Sequence, residues 1–318
     1  MLIIICGAFL FWSDFSIKDY QPFRHDKFNS YEAIIRWLEE VSKNRSQLEL
    51  SYIGESFEKR KIPVLLRRAN LSTSVEKINQ ALIIMTGLHG REWIGPAHLL
   101  YFLNKLKNTS KIIQNTDLIL IPLANPDGYS YSFTKDRLWR RTRTVWSEEV
   151  NFIGADPNRN FPILERRSSS GLSKPSSSSP SSSSTSSLEN ELSKSELEKL
   201  LKFTGPNTYR GPFEASEPSV SALVSYMTEI SRIYKKLAFL DVHCCENFIL
   251  YPFGYSVAEP RNVGILKNIS ESMVEAIAYP ALGLFQFMWF HLAENLLAKN
   301  RSQITAQPKN LVPNGGEA

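Results

Sequence analysis

The chain has 318 residues, enough for one large domain or two small ones, with 42% hydrophobic and 11% aromatic residues, as in globular proteins. Its net charge of +5 is too modest to imply nucleic acid by itself. Three cysteines, Cys6, Cys244 and Cys245, exclude a disulfide framework or a cysteine-based zinc finger, since no CxxC spacing occurs and Cys244 and Cys245 are neighbours.

The apolar stretch Leu2 to Trp12 is too short to span a bilayer. It has the length of a signal-peptide core, yet no Lys or Arg precedes it; a secretory leader over residues 1–16 and a buried first strand both remain open. Sequons at Asn44, Asn70, Asn108, Asn268 and Asn300 agree with secretion, although a Ser-rich chain generates some by chance.

Asn29 to Asn44 alternates at helical spacing behind a cap at Asn29 or Ser30. LELSYIGES and KIPVLLRRA predict two strands joined by a turn at Glu55 to Lys59. ALIIMTG is an apolar run typical of a strand covered on both faces, and Pro96 to Lys107 predicts an amphipathic helix. DLILIPLAN predicts a buried strand ending in the turn NPDG. Further on, SVSALVSYMTEISRIY predicts a helix, KKLAFLDVH and ENFILYPFGY strands, and NVGILKNISESMVEAIA a helix. Buried strands alternating with amphipathic helices predict an α/β fold of three layers, a mixed and mostly parallel sheet with helices on both faces. One domain over residues 17–318 is interrupted by a Ser-rich insertion at about 166–187, whose composition cannot offset its ordering entropy and predicts disorder. LENELSKSELEKLLKF after it reads as a short solvated helix.

The turn after ALIIM holds three ionisable residues, HGRE. His89 and Glu92, three residues apart, can point the same way, and both are zinc-ligand types. An HxxE pair alone is a weak signal. A hydrolytic site wants a third protein ligand. His243 ends the strand AFLDVH as His89 follows ALIIM, and the carboxyl ends of parallel strands are where α/β sites form; a half-buried structural histidine is the alternative. His98 reads as a packing or surface residue, and His25 and His291 lie in weakly patterned regions. The basic run Arg137 to Arg143, with Trp139 inside it, reads as a nucleic-acid patch, a solvated loop or an anion site facing a metal. Asn158 and Arg159 in DPNRN suit the grip of a carboxylate, Arg159 through two parallel N–H donors.

Taken together, HGREW, NPDGY, RLWRRTR, DPNRN, YRGPFEASEP, AFLDVH and ILYPFGY follow one another as in a known family. From about Phe28 to Ala278 the chain resembles the zinc metallocarboxypeptidases of the carboxypeptidase A/B type. The resemblance implies one zinc ion held by His89, Glu92 and His243. It implies that Arg140 polarises the scissile carbonyl, that Asn158 and Arg159 bind the substrate's terminal carboxylate, and that Arg137 and Arg91 line outer subsites. The implied reaction is removal of a C-terminal residue from a peptide or protein by a secreted monomer without nucleic acid or a stable membrane span.

The match stops after Ala278. The family's general-base motif, T-x-E-L-R-D, and its mobile-tyrosine stretch are not found in the divergent tail, residues 279–318. Glu317 lies at about the right separation from His243, but in NGGEA, with no strand to hold it; Glu294 sits on a helical pattern, FHLAENLLAK. The resemblance would place the family's late strand between the strands bearing His89 and His243, so its loss predicts that these two strands lack a shared neighbour, with the apolar run Ala281 to Phe290 filling the gap in part. The pattern also predicts no activation prodomain and no family disulfide. Activity is therefore expected to be impaired, and a catalytically inactive relative that binds zinc and peptide C-termini is the alternative.

Overall fold

The computed structural model describes residues 23–69, 79–106, 114–147, 152–162, 195, 206–244, 249–253, 258–278 and 288–293. The proposed leader, the Ser-rich insertion, Glu294 and Glu317 lie outside them.

Helix α1 (Tyr31–Asn44) starts where predicted: Ser30 is its cap, and its hydroxyl accepts from the Ala33 amide at 3.2 Å. Its apolar stripe buries Ala33, Ile34 and Leu38. Strands β1 (Leu48–Glu55) and β2 (Lys61–Arg67) form an antiparallel pair closed by a turn at Ser56 to Arg60. Strand β3 (Gln80–Thr86) and helix α2 (Ile94–Lys105) follow, then β4 (Asp117–Ile121). The NPDG segment opens a helix: α3 (Pro126–Thr134) has Asn125 at its cap, accepting from the Gly128 amide, and proline in its first turn. Short strands β5 (Val145–Ser147) and β6 (Phe152–Ile153) pair separately, and α4 (Pro157–Asn160) is a single turn. Helix α5 (Pro218–Ile233), β7 (Lys236–Val242), β8 (Ile249–Leu250), α6 (Val263–Ala278) and β9 (Met288–Ala293) complete the described chain.

The large sheet has the order β1-β2-β4-β3-β7-β9-β8. It is mixed rather than mostly parallel: β3–β4, β3–β7 and β8–β9 run parallel, while β1–β2, β2–β4 and β7–β9 run antiparallel. Two expectations about the late part of the chain are corrected here. First, β3 and β7 need no intervening strand. They pair directly and in parallel from Gln80↔Lys236 to Thr86↔Val242, so the backbone groups of both ligand-bearing strands are satisfied by each other. Second, the tail contributes a strand. β9 lies against the far side of β7, with Asp241 opposite Trp289 and Phe239 opposite His291, so Phe290 to Ala293 is extended rather than helical.

Alternation along β3 explains the three layers. Ala81, Ile83 and Met85 face one way, into a core with Val220, Leu223 and Ile230 of α5. Leu82 and Ile84 face the other way, where Ile34, Leu38, Leu99, Leu100 and Leu103 of α1 and α2 pack. Each of these large apolar side chains contributes about 1.5–3 kcal/mol when fully buried. Because β3, β4 and β7 run parallel, their carboxyl ends and following loops meet at one edge. Cys244, just beyond β7, is disulfide-bonded.

Candidate metal and carboxylate site

Three loops at that edge are tied together by Asn125. Its side-chain amide donates to the Leu88 and Arg141 carbonyls, while the Ala124 and Asn125 amides donate to Thr86 and Gly87. Gly90 threads between the others: its amide donates to the Arg140 carbonyl, and the Ser132 hydroxyl donates to its own carbonyl. A Cβ at Gly90 would collide with the Gly128 carbonyl and lie 2.9 Å from the Trp139 carbonyl oxygen. The HGRE turn is therefore clamped on both sides by backbone.

In this turn His89 and Glu92 are both buried, and His243 arrives from the end of β7. His89 Nδ1 lies 2.7 Å from Glu92 Oε1; His243 Nδ1 lies 3.0 Å from Glu92 Oε2. One ligand atom from each of the three falls within 4.8 Å of the others. Both imidazoles turn their Nδ1 atoms inward, and both Nε2 atoms are engaged by carboxylates. Asp156 Oδ1 holds His89 Nε2 at 3.2 Å and Asp241 Oδ2 holds His243 Nε2 at 2.9 Å. Two Nδ1 atoms and one carboxylate converging on a point, each imidazole backed by an acid, is a donor set suited to a divalent ion.

The electrostatics agree. Burial alone would raise the Glu92 carboxyl, but His89 and His243 hold it well below the usual carboxylate range. Burial alone would lower His243, but Asp241 and Glu92 outweigh it and raise the imidazole to about 10.

Arg140 stands beside this cluster. Its Nε and Nη2 donate to Asp156 Oδ2 at 3.1 and 2.9 Å, and its Nη1 is 4.0 Å from Glu92 Oε1. Asp156 caps α4 by accepting from the Asn158 amide. Burial opposes its ionisation, yet His89, Arg140 and Arg159 together hold it far below its ordinary value. Asn158 is buried, and Arg159 donates to the Asn158 carbonyl. Arg137 stacks on Trp93, 3.6 Å from the ring centroid, and donates to the Arg91 carbonyl. Arg91 is lowered by burial first and then by the charge of Arg140.

All eight residues named from the sequence therefore gather around one edge of the sheet. The zinc carboxypeptidase family profile matches residues 34–290. The chain belongs to the zinc carboxypeptidase family. It is 27% identical to rat carboxypeptidase B2 over 262 residues, 80% of this chain and 53% of that protein. Against human carboxypeptidase B2 the identity is 29%, again over 80% of this chain and 53% of the relative. The chain thus spans about half the length of these relatives. Among solved structures, it resembles carboxypeptidase A from Helicoverpa armigera with a TM-score of 0.61 at 26% identity, covering 80% of this chain and 55% of that one. A bovine thrombin-activatable fibrinolysis inhibitor, solved in complex with tick carboxypeptidase inhibitor, gives 0.59 at 26% identity, over 80% and 73%.

Sequence reasoning missed the two acids behind the histidines. Asp156 was visible as the cap of DPNRN, and Asp241 as an acid two positions before His243, which strand periodicity places on the same face. Among the described residues no helix is long and apolar enough to cross a membrane.

Proposed function

We propose that this chain is a zinc metallocarboxypeptidase that cleaves the C-terminal peptide bond of peptides and proteins. The observation that supports the reading best is the convergence of His89, Glu92 and His243 beside Arg140. His89, Glu92 and His243 would hold one zinc ion. When bound, zinc supplies Lewis acidity and activates water for attack near neutral pH.

The remaining roles fall to the cations around it. Arg140, its guanidinium fixed by Asp156, places positive charge where the scissile carbonyl oxygen develops negative charge, worth several kcal/mol at such a site. Asn158 and Arg159 grip the terminal carboxylate, Arg159 by paired N–H donors. Arg91 and Arg137 line the outer subsites and add to a field that attracts an anionic chain end. The reading includes secretion, which the apolar leader stretch and the exposed sequon asparagines Asn44 and Asn268 support, and action as a monomer.

A second reading has its own observation. Strand β9, MWFHLA, occupies the place beside β7 and carries no Asp or Glu. On this reading the chain binds zinc and peptide C-termini with weak or absent turnover. The experiment is turnover of an acylated dipeptide free acid by the zinc-loaded full chain. Hydrolysis that a chelator abolishes and zinc restores supports the peptidase. Tight binding of the free acid without hydrolysis supports the binding protein, and neither would sink both.

A further inference from the structure

The two acids behind the histidines are not equivalent. Asp156 shares its charge with Arg140, whose Nη2 lies 2.9 Å away. Asp241 is 3% exposed, one oxygen is spent on His243 Nε2, and the other, Oδ1, has no hydrogen-bond partner among the described residues. No lysine or arginine among the described residues forms an ion pair with it. A buried carboxylate left half-satisfied is costly unless positive charge lies close by. Among the described residues, the group that can bring positive charge to it is His243. Residues 241 and 243 are two apart at the end of an extended strand, so both side chains leave the same face. The contact is therefore set by the end of β7 and the residue that follows it.

We propose that Asp241 is a positioning residue for the metal site. It fixes His243 with its proton on Nε2 and its Nδ1 turned to the cluster, and its charge strengthens the hold of the site on a divalent cation. The inference rests on the metal reading above and concerns a residue that would not itself touch the metal. Carboxylates behind metal-binding histidines act in this way.

The test uses the full chain with Zn2+ and Co2+ as probes. Asp241→Ala and Asp241→Asn are compared with the unaltered chain by competition against a chromogenic chelator, by the visible absorption of the cobalt form, and by metal-free melting. Asp241→Ala loses about 10–100-fold in zinc affinity, the usual range for such partners. Asp241→Asn, whose amide oxygen still accepts from Nε2–H without the charge, falls between the two. The cobalt bands shift in the Ala variant, which a purely architectural role would not cause. Zinc binding at unaltered affinity, with unaltered cobalt bands, in the folded variants overturns the proposal. If the Ala variant does not fold, the near-isosteric Asn variant decides by the same two readouts. A starting chain that binds no zinc, or binds it equally after His243→Ala, would instead sink the metal reading itself.

Discussion

The Nδ1 atoms of His89 and His243, 154 positions apart in the chain, lie 3.1 Å from each other. Two imidazole nitrogens held this close between carboxylates share a proton or a metal ion. The full chain is expected to bind one Zn2+. At free zinc 100 times the dissociation constant, binding adds about 2.7 kcal/mol of stability, visible as a higher melting temperature that a chelator removes. His243→Ala should weaken zinc by at least about 100-fold, because two ligands remain of three. A melting temperature indifferent to both zinc and chelator would contradict this.

Arg159 offers the next test. A bidentate grip on a free carboxylate uses charge-assisted hydrogen bonds, worth roughly 1.5–3 kcal/mol each. Arg159→Ala should therefore weaken a peptide with a free C-terminus by at least about tenfold. The same peptide with an amidated C-terminus should bind weakly to both proteins. Calorimetric titration of the two peptides gives the answer; equal losses for acid and amide would remove Arg159 from the grip.

Glu217 predicts a pH dependence away from the metal. It is fully buried at the head of α5, with Oε2 accepting from the Thr144 hydroxyl at 2.7 Å and Oε1 from the Trp146 indole at 2.7 Å. Burial raises its carboxyl above the ordinary value, against the pull of those donors. A raised acid binds its proton more tightly in the folded state, so its contribution to stability is full below the unfolded value of about 4.3 and is lost as pH rises through the folded value. Glu217→Gln removes this slope. The amide can accept from Trp146 and donate to Thr144, so the variant should stay within about 1 kcal/mol of the parent near pH 4 and gain relative to it as pH rises. Chemical denaturation at several pH values measures the difference. Parallel stability curves for the two proteins would refute it.

These three sites also show what a sequence reveals. ALIIM, DLILI and LAFLDV read as buried strands because their apolar runs match strand periodicity, and all three are strands of the sheet. The HxxE turn and His243 were legible because parallel strands deliver their ends to one edge. Strand order was not, since the direct β3–β7 pairing is a contact between distant segments with no local signature. FHLAENLLAK follows helical spacing, yet Phe290 to Ala293 is extended, because pairing with β7 outweighs a weak local preference. At NPDG the cap-then-proline order was itself a helix-start signal.

Gly90 supplies the sharpest structural prediction, because it couples folding to the site. The residue lies between His89 and Arg91, and its amide donates to the Arg140 carbonyl at 3.1 Å. A methyl group there meets the Gly128 carbonyl and the Trp139 carbonyl oxygen, both backbone, so no side chain can swing aside to admit it. The HGRE turn would have to move away from α3 and from the Arg140 loop together, breaking the Gly90–Arg140 bond and the Ser132 contact to Gly90. Overpacking of this kind costs typically 1–3 kcal/mol, and each buried polar group left unpaired adds about 1–3 more. Gly90→Ala should therefore lower stability by about 2–5 kcal/mol and weaken zinc, since His89 and Glu92 flank the displaced peptide. Gly264, whose added Cβ would meet nothing within 4 Å, is the control: Gly264→Ala lies within α6 and should be neutral or stabilising, by up to about 1 kcal/mol. Urea denaturation and zinc competition on the two variants separate the cases. A Gly90→Ala protein with parental stability and parental zinc affinity would show that the HGRE turn is not held by the backbone around it.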